Sequence, residues 1–250
     1  MHLLQGTRKF QRTRLARLDL GKIANGRALP RHNSIGKSHG ASASVVVKRV
    51  CERCNNEWMS GLETQVRPTV WKLVLGQRAD LNSEQQLALA LWSTKTAMVF
   101  DAARTNGPMY FSPGECTHLF RSMSGGFDLP MPLWTFVWLA TYRGNFAAGS
   151  FSWNLRGLGQ RTDRREEFPV DGHTTTIVMG HFVTQVLTVR LLSQVAKEAA
   201  PVPSSDRWNN AVRQVWPIAS ALVAWQPEQV LDDTNMGIED FAKRWLIERV

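Results

Sequence analysis

Residues 174–192, TTTIVMGHFVTQVLTVRLL, decide the fold. Ten of these nineteen residues are β-branched and none is acidic, a composition that favours a pleated, buried strand over a helix. Gly180 is the expected site of a bulge or bend within it. Working outward, 133-LWTFVWLATYR-143 and 146-FAAGSFSWNL-155 have the same strand texture, and together the three stretches predict an antiparallel sheet of three or four strands. The segment N-terminal to them differs. In 83-SEQQLALALWSTKTAMVFDAAR-104 a long helical run opens with Ser83 as N-cap and Gln86 at the reciprocal capping position. A shorter helix follows 112-SPGE-115, capped by Ser112 with Pro113 in its first turn. Asp206 is placed to cap a short helix through Trp216, and 237–249 reads as a terminal helix. Helices first and strands later, with no βαβ alternation, predict an α+β fold.

Before Ser44 the chain has Gly, Ser and Asn clusters and no sustained apolar period, so residues 1–44 read as a mostly irregular arm. Residues 45–250 read as a single α+β domain: a knuckle-like element over 45–76, a helical part over 83–124, and a β-rich part with the terminal helix over 133–250. The net charge of +9 is concentrated in the arm. Residues 1–50 hold eleven Lys or Arg against Asp19 alone, a local charge of +10 that leaves −1 for the other two hundred residues. Such an arm attracts phosphate backbones by counterion release, which makes DNA the expected partner, although a solvated tail has the same composition. No run of eighteen uncharged apolar residues is present, no secretory leader is recognised, and the three cysteines do not form a disulfide framework. The expectation is a cytoplasmic protein with no membrane partner.

Two of those cysteines carry the chemistry. In 45-VVVKRVCERCNNEWMSGLE-63 a β-branched run delivers Cys51 and Cys54 to the start of a helix beginning near Asn55. A CxxC at such a junction either presents two thiolates to zinc or forms a redox dithiol. The redox use expects a surrounding βαβ sheet, so zinc is the better reading, with two merely structural thiols as the bland alternative.

The block CERCNNEWMSGLE, the following proline, Leu75-Gly76 and 83-SEQQLALALWSTKTAMV-99 together resemble a group of bacterial and phage proteins described as HNH-endonuclease-like. The resemblance covers roughly Val47 to Val99 and extends more weakly to 216-WP-217 and 225-WQP-227. It implies that Cys51 and Cys54 are one pair of ligands to a structural zinc, that Asn55 positions the catalytic loop or metal, and that Trp58 and Met59 pack. It also implies metal-dependent phosphodiester hydrolysis on DNA, with a divalent cation such as magnesium. The pattern departs upstream of Cys51, where the family's earlier CxxC and Glu-His pair are absent and only His2, His32 and His39 occur. His32 is the nearest substitute for the general base, a group that contributes ~10²–10⁴-fold to such reactions. Arg49 and Arg53 are the candidate phosphate contacts. Three explanations follow: a longer chain that carries the first knuckle and the base, a degenerate relative kept as a nucleic-acid- or protein-binding module, or zinc completed by His32 and His39 or between chains.

Other candidates have plain readings. His173 and His181 are expected to be ordinary strand residues, Cys116 a buried thiol, and Glu166-Glu167 and Asp232-Asp233 solvated acids. Trp134 and Trp138 would share one strand face, where core packing is favoured over stacking on single-stranded nucleic acid.

Overall fold

The computed structural model describes residues 13–14, 46–47, 50–103, 109–123, 131, 134–145, 148–160, 167–191, 208, 210–233 and 237–244. Its architecture is α+β. Two short strands, β1 (Thr13–Arg14) and β2 (Val46–Val47), pair antiparallel ahead of the cysteine motif. The chain then runs continuously helical through α1 (Glu52–Cys54), a π-helical turn over Asn55–Met59, and α2 (Ser60–Val74). Strand β3 (Ala79–Asn82) leads into the central helix α3 (Ser83–Ala103), and α4 (Pro113–Met123) follows. The β-rich part contains β4 (Trp134–Thr141), β5 (Ala148–Gln160), β6 (Glu167–Met179), β7 (Phe182–Leu191), β8 (Val212–Trp216) and β9 (Leu222–Trp225), and α5 (Ile238–Lys243) comes last.

Five of these strands form one antiparallel sheet in the order β5-β6-β7-β4-β8, against an expectation of three or four. β3 and β9 form a separate antiparallel pair. The stretch over 174–192 is two strands rather than one bent strand. Gly180 has φ +57° and, with His181, makes the two-residue turn between β6 and β7. The expected helix ending at Trp216 is also corrected: residues 212–216 pair with β4 at the sheet edge, so tertiary pairing overrides the local signal.

The sheet is covered on both faces, which is why β4 reads as an unbroken apolar run rather than an alternating one. Val137 and Leu139 point into the core shared with α2 and α3, whereas Phe136, Trp138 and Ala140 pack with Trp208, Leu231 and Phe241 on the opposite side. α3 is buried almost all round, from Ala88 to Val99. Its cap lies one residue earlier than expected. Asn82 Oδ1 accepts from the Gln85 amide at 2.9 Å while Gln85 Oε1 accepts from the Asn82 amide at 3.1 Å, a reciprocal capping box. Gln86 instead is buried, and its Nε2 donates to the carbonyls of Leu81 and Ser220 at 2.9 and 3.0 Å. Ser112 does cap α4, in the same reciprocal arrangement with Glu115.

Several of the buried threonines that mark β6 and β7 are engaged through their hydroxyls, whereas the Thr174 hydroxyl is buried without a hydrogen-bond partner among the described residues. Thr184 bonds Ser93 of α3 at 3.0 Å, Thr175 bonds Ser152 at 3.0 Å, and Thr176 accepts from Gln185 at 2.8 Å. The β6–β7 turn docks on the end of α2 through the His181 amide, which donates to the Val74 carbonyl at 3.1 Å. That contact orients the cysteine-bearing helical run against the sheet.

Candidate metal site

Cys51 is the N-cap of α1, in extended conformation at φ −71° and ψ 151°, and its Sγ accepts a hydrogen bond from the Cys54 amide at 3.2 Å. The Asn55 amide donates to the Cys51 carbonyl at 3.0 Å. One thiol therefore caps the helix while the other rides on its first turn, so both sulfurs lie at the same helix end. Both are half-buried and free of any disulfide. Burial pushes the Cys54 thiol up to about 11, reinforced by its interaction with Cys51 and opposed by the nearby Trp58 indole. A metal ion binding there has to displace that proton.

The π-helical turn over Asn55–Met59 carries the rest of the motif. Met59 is buried among Val50, Val99 and Ala102, and Trp58 packs on Phe120 with ring centroids 5.9 Å apart. The sequence reading of these two as packing residues agrees with their positions. The Trp58 Nε1–H is buried and faces the Cys54 thiol, whose ionised form it favours, without closing to a well-formed hydrogen bond. Asn55 is half-buried, and its Nδ2 donates to Asn56 Oδ1 at 3.1 Å.

Beneath this turn lies an ion pair that the sequence reading missed. Lys95, 2% exposed on α3, reaches Glu63 of α2 at 2.5 Å. Burial holds the Lys95 ammonium pKa below the usual range, and Glu63 acts against that. The available signal was a lysine in the middle of an otherwise apolar helix. Such a residue needs a partner when buried.

The candidate residues are only partly brought together. Cys51, Cys54 and Asn55 are adjacent at the helix start. Arg53 is beside them but exposed, and its Nε pairs with Glu57 at 3.0 Å. His32 and Arg49 lie outside the described residues. Two thiolates with an amide N–H on one of them suit half of a tetrahedral thiolate site, and among the described residues no three His, Cys, Asp or Glu converge. His173 belongs to a different network: its ring nitrogens contact Asn154 Oδ1 at 2.7 Å and Thr175 Oγ1 at 3.0 Å, and it stacks on Tyr110. His181 Nδ1 contacts the Tyr142 carbonyl at 2.8 Å. Cys116 is buried, as expected. Of the four acids read as solvated, Asp233 is engaged by Tyr142 and by the amide and side chain of Asn145. Trp138 is buried in the core, with the Arg244 guanidinium over its ring. No helix among the described residues is long and apolar enough to cross a membrane.

No protein-family model, curated protein or solved structure matches the chain.

Proposed function

We infer that the chain is a degenerate HNH-endonuclease-like protein, a zinc-braced module that binds DNA and cleaves it poorly or not at all. The observation that carries this reading is the Cys51–Cys54 turn: a capping thiol that already receives an amide N–H, set in CERCNNEWM at the head of a long helix. Zinc at this point would draw on Cys51 and Cys54 and would fasten whatever chain segment supplies the remaining ligands. The eleven cationic residues before position 50 supply the phosphate attraction, with Arg49 and Arg53 nearest the knuckle in sequence. The free thiols suit a reducing compartment, and we assign the protein to the cytoplasm.

In the catalytic version of this reading, Asn55 would position the loop and His32 would accept the proton of the attacking water, and a divalent cation such as magnesium, if bound there, would supply charge neutralisation at the phosphodiester. The second reading is a module that binds nucleic acid or a protein without cleaving. Incubating supercoiled plasmid with the purified full chain and magnesium separates the two. Degenerate binding predicts retarded but intact plasmid, with retardation surviving chelation of magnesium. Nicking that disappears in both Cys51→Ala and His32→Ala would instead establish the nuclease. Absence of retardation at low salt would overturn the DNA-binding reading itself.

A further inference from the structure

The cavity behind the cysteine turn is built of sulfur. It measures about 30 Å³, room for roughly two water-sized spheres, and six of its twelve lining residues are Cys51, Cys54, Met59, Met98, Met109 and Cys116. These include every cysteine of the chain and three of its eight methionines. Methionine fills irregular core gaps in many proteins, but here the thioethers surround two half-buried, unbridged thiols. The other walls are mainly aliphatic. Trp58 and Lys95 also line it: the Trp58 indole N–H is buried beside the Cys54 thiol, whose ionised form it favours, and the Lys95 ammonium is held by Glu63.

Zinc needs four donors, and among the described residues no further Cys, His, Asp or Glu joins the pair to make even three. A monovalent ion that prefers two or three soft ligands is already provided for. We propose that this cavity binds a single copper(I) ion, through the thiolates of Cys51 and Cys54 with a thioether from its walls as third donor. Soft thiolate and thioether donors select copper(I) over magnesium, calcium and manganese. Binding is ligand exchange without redox change: two thiols and Cu⁺ give a dithiolate complex of charge −1 and release two protons to solvent. The thiolate form at Cys54 is favoured by the Trp58 indole N–H beside it. The inference rests on reading Cys51 and Cys54 as metal ligands, and it adds that the pair, joined by a thioether from the cavity wall, is a copper(I) site.

The test is anaerobic titration of the full chain with copper(I) against a chromogenic copper(I) chelator, with sulfur and nitrogen ligation read from the copper X-ray absorption edge. The expected result is one copper per chain in all-sulfur, two- or three-coordinate ligation. Affinity should fall ~100-fold in Cys51→Ser and in Cys54→Ser, and ~10-fold in at least one of Met59→Leu, Met98→Leu and Met109→Leu. A parallel zinc titration separates the two claims. Zinc bound with four ligands while the chelator strips copper equally from wild type and Cys51→Ser would overturn the copper site and leave the zinc reading standing. Retention of neither metal would overturn both. A Cys51→Ser protein that no longer folds, checked by circular dichroism, is replaced by the three methionine variants. Unchanged affinity in all three, with nitrogen or oxygen ligation at the edge, overturns the proposal.

Discussion

At the residue scale, the cysteines divide into two kinds. Cys51 and Cys54 are half-buried at a helix start, whereas Cys116 is buried in the wall behind them. With a disulfide-exchange reagent at neutral pH, the half-buried Cys51 and Cys54 should be modified in the folded protein, Cys54 slowly because its raised pKa leaves little thiolate, and Cys116 only on unfolding. Burial pushes the Cys54 and Cys116 thiols up to about 11 and about 12 respectively, from an ordinary value of 9.0. Each keeps its proton in the fold while the unfolded chain gives its proton up. Their stabilisation is thus complete below pH 9 and is lost as pH rises through that window. Metal-free protein should accordingly lose thermal stability between pH 9 and about 11, and the double variant Cys54→Ser/Cys116→Ser should show a shallower decline. The Lys95–Glu63 pair gives a separate test. Glu63→Ala leaves a buried ammonium without its partner and should cost about 3 kcal/mol, the low end for such pairs because Glu63 keeps some solvent contact. Lys95→Met, which removes the buried charge and fills its space, should cost less. Equal losses in the two denaturant midpoints would refute this account of the pair.

At the element scale, the fold was legible in the sequence to the extent that local chemistry determined it. The β-branched run over 174–192 identified strand, and the helical texture of 83–104 identified α3. What periodicity could not reveal was that Gly180 turns the chain back completely. That depends on a left-handed φ of +57° and on the close approach of the Val74 carbonyl, which a Cβ at this position would meet at 2.8 Å. Gly180→Ala should therefore destabilise the protein by about 1–3 kcal/mol, and a thermal midpoint equal to wild type would contradict that turn. The α3 cap was misplaced by one residue for a related reason. Asn82 and Ser83 are both good caps, each with a glutamine three residues on, and only burial of Gln86 against Leu81 and Ser220 shows which pair closes the box. The β8 strand was missed because its cause is pairing with β4, which lies far away in sequence.

At the scale of the whole molecule, the candidate site was legible where spacing alone carries chemistry. Cys-x-x-Cys at a strand-to-helix junction predicts two thiols brought close together, and the structure places them at one helix end. The sulfur-lined cavity was invisible because Met59, Met98, Met109 and Cys116 are distributed over the π-helical turn, α3, and the segment leading into and through α4. Charge is as unevenly distributed as sulfur, with the cationic excess confined to the first fifty residues. DNA affinity should consequently be electrostatic, falling steeply between about 50 and about 200 mM salt and changing little with base sequence. The zinc reading adds that the cysteine pair holds the arm and the helical body in one arrangement, so that loss of the pair weakens binding without removing a single cationic residue. The most direct measurement is fluorescence anisotropy of a labelled DNA duplex titrated with zinc-loaded wild type and with Cys51→Ser/Cys54→Ser at low and at physiological salt. The account predicts salt-sensitive binding by wild type and clearly weaker binding by the double variant at both salts. Identical curves for the two proteins, or no binding at low salt, would contradict it.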